Sequence, residues 1–193
     1  MGSMVKEELR QALGRRQKRS ISAPGRIPAA VLLPIYYKQG QYHILFTKRT
    51  ELVREHKGQI CFPGGAYQAE DGTLLKTARR ECAEEIGLTA DDIDILGELD
   101  DTVTTTSGYV ITPFVGFVRW PHTLKLDRRE AEAIIEVPVP ALLEAGCRRE
   151  ESKVIDGEAV TSYFYHYRGR VIWGATAWIL NQFLDIFARV AGE

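Results

Sequence analysis

Apolar residues recur along the chain in two rhythms. Ala29 to Tyr37 and Tyr42 to Thr47 are short, dense apolar runs on either side of Gln39-Gly40, and they predict a strand hairpin. Gln59 to Phe62 adds a short third strand. From Thr73 to Ile86 the rhythm changes: Leu74, Ala78, Cys82 and Ile86 recur every four residues, the stripe of an amphipathic helix, and Gly87 supplies its stop. Ile93 to Leu96 and Tyr109 to Arg119 read as further strands, separated by a polar, Thr-rich stretch from Thr102 to Gly108. Val139 to Ala145 predicts a short helix, and Ser162 to Tyr167 with Arg170 to Trp173 a second hairpin around Gly169. Ala175 to Arg189 closes the pattern as an amphipathic helix with Ile179, Phe183, Ile186 and Phe187 on one face.

Ahead of the first strand, Lys6 to Arg19 reads as a helix with a basic second half (Arg15, Arg16, Lys18, Arg19), followed by a Ser, Pro and Gly connector from Ser20 to Pro28. A solvated helix and linker is expected here rather than a binding arm. Met1-Gly2-Ser3 before Met4 reads as an expression scar. The expected organisation is an N-terminal helix and connector over residues 4–28 and a single domain over 29–193, with no internal repeat. Strands before and after a central helix, with a second long helix at the end, predict an α/β (α+β) fold in which helices cover a mixed sheet.

The 193 residues are 45% apolar and 26% charged, enough for one sizeable core. Twenty-five Lys and Arg against 26 Asp and Glu leave a net charge of -1, so no global field draws the chain to nucleic acid or acidic lipid, and an anionic ligand must be held locally. Cys61, Cys82 and Cys147 form no CxxC pair and no even set, which argues against a zinc site or a disulfide framework and for a reducing compartment. The longest apolar stretches are too short or too interrupted to span a bilayer, and no signal-peptide core precedes them, so a cytoplasmic protein is expected.

Chemistry concentrates on the central helix. Glu81, Glu84 and Glu85 stand at i, i+3 and i+4, so three carboxylates share one face within about a single turn. Like charges at this spacing cost a helix roughly 0.2 to 0.5 kcal/mol per pair, and Arg80 relieves only part of that. A divalent cation relieves it better, and carboxylate oxygens favour Mg2+ or Mn2+ over zinc. A solvated acidic face is the ordinary alternative. Phe62-Pro63-Gly64-Gly65 just ahead of the helix weighs against it, because backbone without side chains can approach a metal or a phosphate closely.

Gly65, Asp71 and Arg80-Glu81-Cys82-Ala83-Glu84-Glu85-Ile86-Gly87-Leu88 resemble the signature of the Nudix hydrolases: Gly, five residues, Glu, seven residues, then Arg-Glu-apolar-x-Glu-Glu-x-Gly-apolar. The second half matches throughout. In the first half Asp71 replaces Glu, and eight residues rather than seven separate it from Arg80. Leu45-Phe46-Thr47-Lys48-Arg49-Thr50, Arg54, Gly58 and Phe62-Pro63-Gly64-Gly65 are similar to the motif that precedes this box in coenzyme A pyrophosphatases, with Phe46 and Thr50 where Leu and Ser are more usual. Gly108 to Pro113, Val137-Pro138 and Ile172 to Ala177 also resemble that subfamily.

The resemblance implies a Nudix-like α/β/α sandwich and Mg2+- or Mn2+-dependent hydrolysis of the diphosphate in coenzyme A or an acyl-CoA, giving 3',5'-ADP and a 4'-phosphopantetheine. It implies that Glu81, Glu84 and Glu85 bind metal, Glu84 and Glu85 most firmly, with Glu81 a ligand or a base that orients water and the Gly64 carbonyl completing the shell. An acid from a later loop commonly joins such a set; Glu130, Glu132 and Glu136 are the candidates, with Glu130 preferred. Asp71 is expected to pair with Arg80 and brace the loop. Arg49, Arg54 and Lys57, with Gly65, are candidate substrate contacts, since guanidinium groups suit phosphate oxygens. The expected partner is a small-molecule nucleotide derivative, without nucleic acid or membrane, bound by a monomer or homodimer. The rival expectations are hydrolysis of another diphosphate, such as ADP-ribose or a dinucleotide, and a non-catalytic nucleotide-binding module.

Overall fold

In the computed structural model, which describes residues 2–50, 58–104, 107–155 and 158–192, the elements follow one another as α1 (Gly2–Arg15), β1 (Ile27–Lys38), β2 (Gln41–Arg49), β3 (Ile60–Cys61), β4 (Gly64–Ala66), α2 (Leu74–Ile86), β5 (Ile93–Glu98), β6 (Thr102–Val103), β7 (Tyr109–Val118), β8 (Ala131–Pro138), α3 (Val139–Leu143), β9 (Arg148–Ile155), β10 (Glu158–Tyr167), β11 (Arg170–Ile172) and α4 (Gly174–Ala191). The main sheet runs β3-β2-β1-β7-β5, with β4 also on β1, β6 on β7 and β8 on β2. β1 and β7 are parallel, and the other pairs of this sheet are antiparallel, so the sheet is mixed. β9, β10 and β11 form a second, antiparallel sheet.

Helices cover both faces of the main sheet, which is why β1 reads as an unbroken apolar run rather than an alternating one. Successive β1 residues go to opposite cores. Leu33 and Ile35 pack with Ile44 and Phe46 of β2 against Leu9 and Leu13 of α1 and Ile179, Leu180, Phe183 and Phe187 of α4. Leu32 and Tyr36 pack with Leu45 against Ala78, Cys82 and Ile86 of α2. This is the expected α/β/α sandwich with a mixed sheet.

Three features depart from the sequence expectation. The first helix starts at Gly2, among the residues read as a scar, and it is not simply solvated: Leu9 is fully buried and Leu13 nearly so. Its basic continuation is paired, Arg16 with Asp100 at 2.7 Å and Lys18 with Glu98 at 2.7 Å and Asp101 at 3.0 Å. β8 and β9 were not foreseen. β9 carries the charged run Arg148-Arg149-Glu150-Glu151, and its extended form rests on pairing with β10 rather than on a local apolar rhythm.

Candidate active site

The site grows from one end of α2. Thr73 caps the helix by accepting the Lys76 N–H at 3.2 Å, and Gly87 ends it in a left-handed conformation. Ala78, Cys82 and Ile86 are fully buried against the sheet, and this rotation of the helix carries Glu85 inward, to 2% exposure. Glu81, one turn earlier, is partly buried, whereas the Glu84 side chain is 54% exposed.

Four groups surround the Glu85 carboxylate, three of them from outside α2. The Gly64 N–H, at the start of β4, donates to Oε1 at 3.2 Å, and the Thr47 hydroxyl of β2 donates to Oε2 at 3.3 Å. Glu81 and Glu130 complete the group: one carboxylate oxygen from each of Glu81, Glu85 and Glu130 lies within 4.8 Å of the others. Burial, above all, pushes the Glu85 carboxyl up to about 7, and the charges of Glu130 and Glu81 add to it, while the Gly64 N–H and the Arg49 charge oppose it. Glu81 is raised as well, mainly by burial and against the pull of Arg80.

Glu130 reaches this place by way of the backbone. The last turn of α2 leaves its carbonyls without helical partners, and the incoming loop takes them up: Lys125 N–H donates to Ile86 and Asp127 N–H to Glu85, both at 2.9 Å. Glu130 N–H then closes a turn on the Asp127 carbonyl at 3.2 Å, and the Glu130 carbonyl accepts the Thr50 N–H at 3.0 Å. Glu132 and Glu136 are engaged elsewhere, Glu132 with Lys48 and Glu136 with Tyr36 and Lys38.

Two glycines make room for the carboxylates. A Cβ on Gly65 would fall 2.5 Å from the Glu81 carboxyl carbon, and one on Gly64 would overlap the Ala30 carbonyl of β1. Gly65 thus faces Glu81, and the Gly64 N–H meets the cluster at Glu85.

Arg80 stands behind the cluster. Its Nε and Nη2 donate to the two Asp71 oxygens at 2.8 and 3.0 Å, and its Nη1 donates to Glu81 at 2.6 Å and Glu84 at 3.2 Å. Asp71 also accepts from the Thr77 hydroxyl at 2.8 Å and the Gln68 N–H at 3.1 Å, and these bonds, Arg80 first, hold it well below the usual carboxylate range. The shorter Asp side chain still makes a two-pronged contact with the guanidinium.

Beside the glutamates opens a cavity of about 460 Å³ whose lining includes Arg49, Cys61 and Gly64. Arg49 Nε is buried and has no hydrogen-bond partner among the described residues. Arg54 and Lys57 lie outside the described residues. Cys61 has its thiol pushed up to about 11, mainly by burial, so it stays protonated at neutral pH. Thr47 enters the sequence reading only as a motif position without a role, and the docking of Lys125 and Asp127 on the end of α2 went unnoticed there, because a polar loop carries no signal of its own.

Clustered carboxylates beside glycine-rich backbone are a donor set that could hold a cation, and the NUDIX domain pattern matches residues 25–180 of the chain. The chain belongs to the Nudix family. It is 35% identical over 154 residues to a protein of Photorhabdus laumondii subsp. laumondii called "Uncharacterized Nudix hydrolase NudL", covering 80% of this chain and 81% of that one. A protein of the same name from Klebsiella pneumoniae subsp. pneumoniae is 33% identical over 165 residues, 83% of each chain. In fold the chain resembles a MutT/nudix family protein from Enterococcus faecalis (TM-score 0.59, 13% identity, 93% of this chain and 67% of that one) and the MutT protein from Methanosarcina mazei Go1 (0.51, 21%, 92% and 96%).

As a Nudix hydrolase, the protein is an enzyme acting on the diphosphate bonds of nucleoside diphosphate derivatives, and Nudix hydrolases use divalent metal ions. The Glu81, Glu85 and Glu130 donor set fits such an ion: three hard oxygen donors converge, and one is buried deeply enough to hold a proton near neutral pH when nothing else balances its charge. Among the described residues no helix is long and apolar enough to cross a membrane.

Proposed function

We propose that this Nudix hydrolase cleaves the diphosphate of coenzyme A or an acyl-CoA, releasing 3',5'-ADP and 4'-phosphopantetheine or its acyl derivative, with Mg2+ or Mn2+ held by Glu81, Glu85 and Glu130, in the cytoplasm. The observation that supports the substrate is where the coenzyme A-type motif lies. Its residues are the ones that touch the cluster: Thr47 and Gly64 bond Glu85, and Arg49 lines the adjoining cavity.

A cation bound there supplies charge neutralisation of the diphosphate and lowers the pKa of bound water. The chain's own groups do the remaining work. Thr47 and the Gly64 N–H hold the Glu85 carboxylate in place, and Arg80 does so for Glu81. Among the described residues Glu84 is tied by one exposed 3.2 Å bond to Arg80, a contact weak enough in water for it to turn toward the site as a further ligand. Arg49 orients a phosphate oxygen through its guanidinium, whose Nε has no hydrogen-bond partner among the described residues. Glu130, from a separate segment, adds the third carboxylate donor.

The test is a product profile by chromatography from CoA, acetyl-CoA, ADP-ribose, NADH, a diadenosine polyphosphate and 8-oxo-dGTP with Mg2+ or Mn2+. Preferential release of 3',5'-ADP from CoA is expected. Preference for another diphosphate overturns the substrate assignment, and tight nucleotide binding without turnover overturns the enzymatic one.

A further inference from the structure

The cavity beside the glutamates is walled on one side by five consecutive residues of β10, Val160 to Phe164. Side chains of a strand alternate between its two faces, so five consecutive lining residues are what a cavity running along the strand's edge would show. The pairing agrees. β9 covers one side of β10 from Glu158 to Tyr165, while β11 reaches the other side only at Tyr165 to Tyr167. Among the described residues, the edge of β10 away from β9 has no strand partner from Val160 to Phe164, which leaves main-chain N–H and C=O groups on that edge open toward the cavity.

An open edge in a cavity that adjoins a diphosphate site calls for a particular kind of ligand. It suits an extended chain that carries amides, because such a chain pairs with a strand edge as another strand would. We infer that the open β10 edge binds the amide-bearing arm of the substrate, its two secondary amides pairing with main-chain groups of Val160 to Phe164. This rests on the coenzyme A reading above, whose substrate carries a diphosphate-linked pantetheine with two such amides.

The direction follows from the junctions. Arg49, Cys61 and Gly64 line the cavity where it meets the glutamates, so the phosphate end of the arm sits there. Val160 and Trp173, both substantially exposed, mark apolar wall available to the distal, thiol or acyl, end. A nucleoside offers ring faces rather than spaced amides, so this reading directs the 3',5'-ADP half away from β10.

The experiment measures wild-type kinetics with Mg2+ on CoA and on a CoA analogue in which both amide N–H groups are replaced by ester oxygens. The ester keeps length and carbonyls but loses both donors, and KM is expected to rise about tenfold with kcat within about twofold. Ala175→Trp, which fills the same cavity from the first turn of α4, should lower kcat/KM for CoA about tenfold relative to the methyl ester of 3'-phospho-ADP, a substrate without the arm. If CoA yields 3',5'-ADP but the ester analogue keeps the KM of CoA, the strand-edge assignment falls and the activity stands; an unchanged ratio in a folded Ala175→Trp variant has the same meaning. If wild-type enzyme releases no 3',5'-ADP from CoA, the proposed function falls and takes this inference with it.

Discussion

The main-chain N–H of Asp127 donates to the carbonyl of Glu85 at 2.9 Å. One bond thus joins the end of the acidic helix to the loop that delivers Glu130, some 45 residues later in the chain. The contact uses a carbonyl that the helix leaves over, so the third carboxylate is positioned by the same residue whose side chain it approaches.

That hook separates Glu130 from its neighbours. Glu130→Gln should lower kcat by about a hundredfold, on the scale expected for a group acting in metal-assisted or acid–base chemistry. Glu132→Gln removes only an exposed pair with Lys48 and should leave kcat within about twofold. Steady-state kinetics on folded variants decides it, and equal losses in the two would remove Glu130 from the site.

Glu85 carries a pH signature. Displacement of its carboxyl from 4.5 in the unfolded chain to about 7 corresponds to about 3 kcal/mol. Below pH 4.5 the group is protonated in both states. Between 4.5 and 7 the folded state holds more protons, so metal-free stability falls as pH rises, and above 7 the loss is complete. Melting in EDTA should therefore show Glu85→Gln gaining on wild type by roughly 5 to 10 °C from pH 5 to pH 8. Saturating Mg2+ should narrow that gap, since the cation balances the charge in place of the proton. The same substitution should reduce kcat at least a hundredfold; a pH-independent gap would show that Glu85 is ionised normally.

Gly65→Ala places a methyl where the Glu81 carboxyl lies, yet that carboxyl is the far end of a side chain and can move aside. Activity should fall at least about tenfold, through the roughly 1 Å sensitivity of positioned groups, and the apparent affinity for Mg2+ should weaken, with the melting temperature nearly unchanged. A large loss of melting temperature would give Gly65 a folding role instead.

Asp71→Asn keeps the shape but removes the charge that faces Arg80. Breaking a partly buried pair in this way should destabilise by about 2 to 3 kcal/mol, read from urea denaturation. Because Arg80 then loses its anchor, kcat should fall too. Unchanged stability would mean that the other Arg80 contacts, to Glu81, Glu84 and the Ala66 carbonyl, suffice.

Local spacing made α2, its caps and its run of glutamates legible in the sequence, together with the β1–β2 hairpin and α4, because a helix stripe or a strand run is written in residues a few positions apart. The mixed sandwich followed from the order of those elements. Other features depended on partners distant in sequence. Glu81, Glu84 and Glu85 are equivalent in spacing, and only the packing of Ala78, Cys82 and Ile86 turns Glu85 inward and leaves Glu84 in solvent. Glu130, Glu132 and Glu136 are equivalent acids until the main chain of Lys125 and Asp127 docks on the end of α2. β9 is a charged run until β10 lies beside it. Periodicity is a property of the chain, whereas burial and the pairing of main-chain groups belong to whatever the fold brings alongside, and these decided which carboxylates meet.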